Sequence, residues 1–261
     1  MLGTDFTHGS PIWIDLGSPD TTRAAAFYGG VFGWQFVPAG PEAGGYGFFQ
    51  KDGKTVAALG PLTEEGATSA WTVYFRTDDV QATTKAAEQG GGTMRVAPMQ
   101  VMGEGWMAQF TDQQGAQFAV LQPGTPQGGL EKASEDNSLV WVELHVPDPV
   151  AGIGFYHGLF GWRSQEMQAP GMTYRVLSLE HGDQQDTSFG GVAALQEGGR
   201  GPSWVPYFAV ADADETVRKT EENGGSVLMP AEDVPEVGKI AWLADIAGAV
   251  FAVLKPNPPQ A

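Results

Sequence analysis

The sequence predicts an α+β fold in which four βαβββ modules form two tandem repeats. One observation behind this prediction is a motif that runs from Trp13 to Trp34 and returns 128 residues later between Trp141 and Trp162. A second pair of similar segments begins at Trp71 and at Trp204. The other observation is a change from strand periodicity to helical periodicity inside each module. Together they predict that both halves of the chain share one architecture.

The first module shows how each element is predicted. Residues 12–16 alternate between apolar and more polar side chains, which is typical of a strand with one buried face. Pro19 and Asp20 favour the start of a helix, and Gly33 favours its end. Three short strands are predicted after this helix, and the same order recurs in the other three modules.

The boundaries of the repeats follow from composition and from the motifs. We expect the first repeat to span residues 10–123 and the second to span residues 139–256. The segment 124–138 is rich in Gly, Pro and charged residues, so it is predicted to be a linker. Residues 257–261 are predicted to be a tail.

Composition excludes several classes of function. The 261 residues include no cysteine, which excludes disulfides, thiolate zinc sites and cysteine nucleophiles. The formal net charge of −17 disfavours nucleic acid and anionic lipid as partners, although a solvated surface also explains the acidity. No apolar run is long enough to span a membrane and the first residues lack the pattern of a signal peptide, so we expect a cytoplasmic protein.

The repeated motifs resemble those of a known superfamily. The pattern W-x-[DE]-L…P-D…F-Y-x-G-[VL]-F-G-W, with its closing G-A-x-F-A-V-L, is similar to the vicinal oxygen chelate superfamily, which includes glyoxalases, bleomycin resistance proteins and dioxygenases. The chain is similar along nearly its whole length to two-repeat actinobacterial members labelled glyoxalase or hydroxylase. The resemblance implies curved, cup-shaped mixed sheets flanked by helices. It does not by itself imply an activity.

Metal-dependent members of this superfamily place their ligands on the inner face of the cup. The resemblance maps these ligand positions onto residues without suitable donor atoms: Trp13, Trp141, Thr72, Val205, Ala119, Ala252 and the segments 56–58 and 192–194. A divalent cation needs three or four converging nitrogen or oxygen ligands. We therefore expect no metal ion and no other cofactor.

Strand alternation predicts which side chains line the cups. The candidate ligand-binding residues are Trp13, Asp15, Thr72, Tyr74, Arg76, Trp106, Gln117, Trp141, Glu143, His145, Tyr207 and Trp242. Indole rings suit planar ligands, and carboxylates suit cations. An alternative is that the tryptophans fill the space of a metal site or seal the repeats.

The same faces contain candidate catalytic residues, namely Asp15, Arg76, Glu143 and His145. Arg76 is a candidate ion-pair partner of Asp15, and His145 is a candidate general base beside Glu143. Hydrogen bonds to neighbouring strands are the alternative role of the two carboxylates.

Three functions remain open from the sequence. The first is a metal-free protein that binds an aromatic, cationic natural product or drug, either in antibiotic resistance or as an accessory to a biosynthetic enzyme. The second is a metal-independent cyclase, isomerase or hydroxylase of polyketide-type secondary metabolism. The third is an interaction protein with closed cups. Four modules in one chain favour a monomer or a weak dimer.

Overall fold

The structure is a computed structural model, and it describes residues 2–101, 105–125, 128–169, 172–195 and 200–257. Most of the predicted tail, residues 258–261, lies outside the described residues, as do residues 126–127 of the predicted linker. Whether residues 10–123 and 139–256 fold as separate domains stays a prediction.

The four predicted βαβββ modules are confirmed. Module 1 consists of β1 (Pro11–Ser18), α1 (Thr21–Phe32), β2 (Gln35–Pro38), β3 (Gly47–Lys51) and β4 (Lys54–Pro61). Module 2 consists of β5 (Ala70–Arg76), α2 (Val80–Gln89), β6 (Thr93–Val101), β7 (Gly105–Thr111) and β8 (Gln117–Pro123). Module 3 consists of β9 (Leu139–Val146), α3 (Pro149–Phe160), β10 (Arg163–Ala169), β11 (Met172–Ser178) and β12 (Ser188–Ala194). Module 4 consists of β13 (Ser203–Ala209), α4 (Ala213–Glu222), β14 (Ser226–Val234), β15 (Gly238–Ala244) and β16 (Val250–Pro256).

The strands form two mixed sheets of eight. The first has the order β2-β3-β4-β1-β5-β8-β7-β6, and the second repeats it as β10-β11-β12-β9-β13-β16-β15-β14. In each sheet the first strand of a module pairs in parallel with the last strand of that module, as β1 does with β4 and β9 with β12. The other strands within a module pair antiparallel, as β3 does with β4. This arrangement confirms the predicted α+β class.

Aspartates start all four helices of the modules. The carboxylate of Asp20 accepts a hydrogen bond from a backbone N–H of α1, and Asp79, Asp148 and Asp212 do the same for α2, α3 and α4. Gly33 ends α1 in the left-handed conformation with φ of 68°. Among the residues described, no helix is long and apolar enough to cross a membrane.

The opening strands bury one face, as their alternating pattern predicts. Ile12, Ile14 and Leu16 of β1 are fully buried, whereas Trp13 and Asp15 between them are half-buried. The apolar face of each opening strand therefore packs into a core, and the polar face is left for a site.

The residues divide into two compact units that cut across the two repeats. Unit 1 contains Met1–Trp13, Thr72–Gly129 and Trp141–Val205, so it combines most of module 2 with module 3. Unit 2 contains Ile14–Trp71, Leu130–Val140 and Pro206–Ala261, so it combines most of module 1 with module 4.

The core of unit 2 is built around Tyr28 of α1, which is fully buried. The indole nitrogen of Trp71 donates a hydrogen bond to the Tyr28 hydroxyl at 3.0 Å. That hydroxyl donates to Oδ2 of Asp245, in the turn before β16, at 3.3 Å. Trp34 stacks on the Tyr28 ring and donates from Nε1 to the carbonyl oxygen of Asn137. Helix α1 of module 1 is thereby tied to module 4.

The core of unit 1 repeats this arrangement around Tyr156 of α3. Trp204 donates to the Tyr156 hydroxyl at 2.8 Å, and that hydroxyl donates to Oδ2 of Asp112 at 3.1 Å. Trp162 stacks on the Tyr156 ring and donates from Nε1 to the carbonyl oxygen of Gly9. Burial raises the pKa of both Tyr28 and Tyr156 well above 10.0, and the nearby carboxylates add to this effect.

Candidate functional site

The polar face of β9 carries three of the predicted site residues, Trp141, Glu143 and His145. They lie on the face opposite Val142 and Leu144, which are fully buried. Trp141 and His145 are half-buried, whereas Glu143 is only 8% exposed. A carboxylate with so little access to water needs hydrogen-bond donors from the protein.

Two donors contact the Glu143 carboxylate, one at each oxygen. The hydroxyl of Tyr174 on β11 donates to Oε2 at 2.6 Å, and Nε2 of His145 lies 2.7 Å from Oε1. The indole nitrogen of Trp141 in turn donates to the Tyr174 hydroxyl at 2.9 Å. We call these four residues the module 3 polar cluster.

Donor and acceptor chemistry fixes the direction of each hydrogen bond in the module 3 polar cluster. An indole N–H only donates, so the Tyr174 oxygen accepts from Trp141 and gives its own hydrogen to Glu143. An ionised carboxylate only accepts, so Nε2 of His145 carries a hydrogen. A neutral imidazole in this tautomer has its acceptor lone pair on Nδ1.

The phenol of Tyr174 remains protonated at neutral pH. Burial raises the pKa of Tyr174 well above 10.0, and the charge of Glu143 and the hydrogen bond to it raise this pKa further. The hydrogen bond from Trp141 lowers it in part. Tyr174 is therefore a donor that holds the carboxylate, and it is not a base.

A glycine makes room for this tyrosine. Strand β12 pairs with β9 in parallel, and Gly191 is the register partner of Glu143. A Cβ atom at Gly191 would overlap the hydroxyl of Tyr174. The absent side chain thus allows the phenol to lie against β12 and reach the carboxylate.

Tyr174 is not among the candidates named from the sequence, although the sequence contains a signal for it. Tyr46 precedes Tyr174 by the same 128 residues that separate Trp13 from Trp141. Both tyrosines contact the acidic residue of their own module. The repeat spacing therefore identifies Tyr174 as the equivalent of Tyr46, and the structure shows which carboxylate each of them contacts.

Module 1 carries residues equivalent to several members of this cluster. The Tyr46 hydroxyl lies 3.5 Å from Oδ2 of Asp15, and both residues make further interactions. Gly17 stands where module 3 has His145. Ala58 is the register partner of Asp15, where module 3 has Gly191.

In module 2, Tyr74 and Gln109 meet. The amide nitrogen of Gln109 donates to the Tyr74 hydroxyl at 3.2 Å, and Tyr74 is buried. Thr72 is half-buried on the same strand, and Gln117 is exposed at the start of β8.

Arg76, the last residue of β5, contacts a backbone carbonyl and a carboxylate. Its guanidinium donates to the carbonyl oxygen of Phe6, and its Nη2 lies 3.6 Å from Oδ1 of Asp78. The sequence suggested an ion pair with Asp15, whereas the carboxylate that the structure places beside Arg76 is Asp78. This aspartate is two residues away in the chain and lies just past the strand end.

Trp106 lies on the opposite face of its strand from Gln109. It is the register partner of Gln122, whose amide oxygen accepts a hydrogen bond from the N–H of Val80 at the start of α2. Trp106 therefore lies on the helix-facing side and is 42% exposed. The sequence interpretation placed Trp106 on a cup wall, whereas the structure puts Gln109, three residues further along β7, on the face that contacts Tyr74.

Module 4 brings Tyr207 and Trp242 together. The Trp242 indole nitrogen donates to the Tyr207 hydroxyl at 3.1 Å, and the two rings are almost perpendicular, with centroids 6.0 Å apart. Trp242 occupies the position that Gln109 has in module 2. Of the predicted candidates, Trp141, Glu143 and His145 thus lie in one hydrogen-bonded cluster, which Tyr174 completes.

Comparison with known proteins identifies the family of the chain. A family model described as the Glyoxalase/Bleomycin resistance protein/Dioxygenase superfamily matches residues 11–120. The anthracycline biosynthesis protein DauV of Streptomyces sp. (strain C5) is 40% identical over 268 residues, which cover 97% of this chain and 95% of DauV. The chain belongs to the Glyoxalase/Bleomycin resistance protein/Dioxygenase superfamily. The anthracycline biosynthesis protein DnrV of Streptomyces peucetius matches with the same identity and coverage.

Solved structures of the superfamily share the fold. The crystal structure of the Mn(II)-bound glyoxalase from Novosphingobium aromaticivorans matches with a TM-score of 0.65, over 97% of this chain and 86% of that chain. Its sequence identity is 15%, so this likeness concerns the fold alone.

The positions at which the superfamily resemblance places metal ligands do not fit a metal ion in this chain. Ala119 and Ala252 are fully buried alkyl side chains, and Val205 is buried as well. Trp141 uses its indole N–H as a donor to Tyr174, and this group offers no lone pair to a cation. Within the described parts of the chain, no three His, Asp or Glu side chains group as metal ligands.

Proposed function

We propose that this chain binds a planar aromatic compound with a positive charge, and that it does so in secondary metabolism of the anthracycline type. The two relatives that match over nearly the whole chain are named anthracycline biosynthesis proteins. Anthracyclines are flat, fused-ring compounds, and many carry a protonated amino sugar. Their chemistry matches both an indole surface and a buried carboxylate.

The observation that carries this proposal is the position of Glu143 beside Trp141 on one strand face. Glu143 is held by donors at both oxygens, so its charge is already oriented before a ligand arrives. An ammonium group near this carboxylate would form a charge-assisted hydrogen bond. The net charge of −17 also raises the local concentration of cations around the protein.

The biological setting that fits such binding is either resistance by sequestration or support of a biosynthetic enzyme. In the second case the enzyme is the protein partner, and it receives or delivers the bound compound. We propose a monomer or weak dimer, because the four modules are already present in one chain.

Isothermal titration calorimetry with daunorubicin tests the proposal. The expected result is saturable binding with a Kd of about 1–100 μM, since one charged contact and one stacked ring system supply the affinity. The uncharged aglycone, which has the same rings without the amine, should bind more weakly. Absence of heat from both compounds up to millimolar concentration would overturn the proposal.

A second candidate function is a metal-independent cyclase, isomerase or hydroxylase acting on polyketide-type substrates. The contact of 2.7 Å between His145 and Glu143 favours it, because a carboxylate that orients an imidazole is the usual arrangement of a general base. The substitution His145→Asn separates the two functions. If His145 is a general base, the variant should lose product formation while its ligand affinity stays nearly unchanged. If the chain only binds its ligand, the wild type forms no product, so there is no product formation to lose.

A further inference from the structure

We propose a second binding site in unit 1, in a cleft between the N-terminal segment 2–10 and the segment 179–187 that joins β11 to β12, and we assign an aliphatic polyamine to it. The cleft has a volume of about 700 Å³, which is within the usual range for sites that bind small molecules. None of the described residues that line it belongs to the module 3 polar cluster, so this inference goes beyond the proposed function.

Both walls of the cleft are held by arginine side chains. On one side, the guanidinium of Arg76 donates a hydrogen bond to the carbonyl oxygen of Phe6. On the other side, Arg163 donates from Nε to the carbonyl oxygen of Leu179 at 2.8 Å and from Nη2 to that of Gly182 at 2.9 Å. The cleft therefore has its shape before a ligand arrives, which lowers the entropic cost of binding.

Carboxylates line the cleft on both walls. Asp5 belongs to the N-terminal segment, and Oδ2 of Asp78 lies 3.8 Å from Nδ1 of His8 in that segment. Glu180 and Asp186 belong to the opposite wall. Apolar side chains complete the lining, namely Leu2, Phe6, Leu179 and Phe189. A chain of methylene groups with an ammonium group at each end matches this combination of charge on both walls and apolar surface.

Unpaired buried polar atoms are concentrated at this cleft. Three buried side-chain atoms have no hydrogen-bond partner among the described residues: Nδ1 of His8, Nε of Arg76 and Oγ of Ser178. His8 lines the cleft, and the Arg76 guanidinium contacts Asp78, which also lines it. Ser178 is fully buried and is the register partner of Ser188, another lining residue; partners on antiparallel strands place their side chains on the same face of the sheet. Since buried polar atoms are normally hydrogen-bonded, this concentration favours a polar occupant.

Unit 2 contains a repeat equivalent of the N-terminal segment, residues 130–138. In both segments, the serine at the end exchanges two hydrogen bonds with the backbone of the residue three positions earlier. The strand connections beside the two segments differ in length. Residues 52–53 join β3 to β4, whereas the longer segment 179–187 joins β11 to β12 and forms the second wall of the cleft.

Unit 2 places an ammonium group of its own between this equivalent segment and the strand connection. Nζ of Lys132 lies 3.3 Å from Oδ2 of Asp52 and 3.4 Å from Oε2 of Glu135, and its side chain is only 11% exposed. Thr4 stands at the equivalent position in unit 1. None of the described residues that line the cleft in unit 1 is a lysine or an arginine. An ammonium group of the ligand takes this place in unit 1.

Isothermal titration calorimetry of the full chain with spermidine in 0.15 M salt tests the proposal. The wild type should show one saturable site with a Kd of about 10–500 μM. Asp78→Asn and Glu180→Gln change one carboxylate on each wall, so each should weaken binding about three- to fivefold. Asp136→Asn is the matched control, because it removes the same charge from an exposed position in the equivalent segment of unit 2. It should change the affinity by less than about twofold, since salt screens distant charges.

Proton NMR of the wild type locates the site without any substitution, because the chain has only four histidines. Spermidine should shift the ring signals of His8 and His181, which line the cleft, and leave that of His157 on α3 unchanged. A shift of His145 alone would place the amine at the module 3 polar cluster, which overturns this inference and leaves the proposed function intact. Equal shifts of all four histidines, or equal losses in Asp136→Asn and Glu180→Gln, would mean diffuse attraction to the acidic surface and overturn it as well. Failure of the proposed function shows itself separately, in the titration with daunorubicin.

Discussion

The cores around Tyr28 in unit 2 and around Tyr156 in unit 1 contain the same hydrogen bonds, whereas the polar faces of modules 1 and 3 differ. In both cores a tryptophan donates to a tyrosine that donates to an aspartate, at 3.0 and 3.3 Å in one unit and 2.8 and 3.1 Å in the other. On the polar faces, Tyr174 and His145 contact the Glu143 carboxylate, whereas module 1 has Gly17 where module 3 has His145. Packing and hydrogen bonding are therefore the same in the two cores, whereas the residues on the polar faces differ between the repeats.

The largest effect is expected from the aspartates of the cores. Asp112 accepts hydrogen bonds from two backbone N–H groups and from Tyr156, and Asp245 does the same with its own turn and Tyr28. Asp112→Ala and Asp245→Ala leave three donors without their acceptor, so each should lower the free energy of unfolding by about 3 kcal/mol or more. Urea unfolding measures this loss. Asp112→Asn and Asp245→Asn are the controls, and clearly unequal losses in the two alanine variants would contradict the equivalence of the cores.

The next effect concerns alkaline pH. The pKa values of Tyr28 and Tyr156 are raised in the folded state, so below pH 10 both phenols are protonated whether or not the chain is folded, and their contribution is complete. Above pH 10 the unfolded chain loses these protons first, so stability should fall by up to about 2.7 kcal/mol per pH unit from the two groups together. Between pH 9 and pH 11 the free energy of unfolding, measured with urea, should decrease less in the double variant Tyr28→Phe/Tyr156→Phe than in the wild type. An unchanged decrease would show that other groups cause the alkaline loss.

The third prediction concerns a substitution that makes module 3 more similar to module 1. Gly191→Ala introduces the methyl group that Ala58 has in module 1, and this methyl would collide with the Tyr174 hydroxyl. The free energy of unfolding should decrease by about 1–3 kcal/mol, because overpacking displaces the phenol and weakens its bond to Glu143. Thermal and urea unfolding measure the loss. Combining it with Tyr174→Ala removes the ring carbons as well as the hydroxyl that the methyl would meet, so the two losses should not add; additivity would argue against this contact.

The smallest effect is expected on the helix surfaces. Arg218 of α4 pairs with Glu215 and Glu222, whereas the equivalent residue in α2 is Lys85, with Ala82 and Gln89 as its neighbours. All three members of the α4 pairings are exposed, so solvent screens the attraction. Arg218→Ala should leave the urea midpoint unchanged within error in 0.15 M salt. A clear decrease would mean that this ion-pair network stabilises unit 2.

Much of the fold could be predicted because its signals are local. Alternation in β1, the aspartate at each helix start and Gly33 at the end of α1 act within a few residues, and the structure confirms each of them. Of the candidate site, the placement of Trp141, Glu143 and His145 on one strand face follows from the same alternation. Tyr174 was missed because it belongs to another strand, and its contact depends on register.

The repeat, the order of elements and the superfamily could be predicted without a structure, since repeated motifs and short-range periodicity are properties of the chain alone. Which groups meet depends on the folded arrangement: Tyr28 meets Asp245 across 217 residues, Arg76 meets Asp78, and Tyr174 meets Glu143. Strand pairing and side-chain direction bring distant residues within hydrogen-bond distance. A shift of one residue in register exchanges the two faces of a strand, so such contacts cannot be derived from spacing in the sequence.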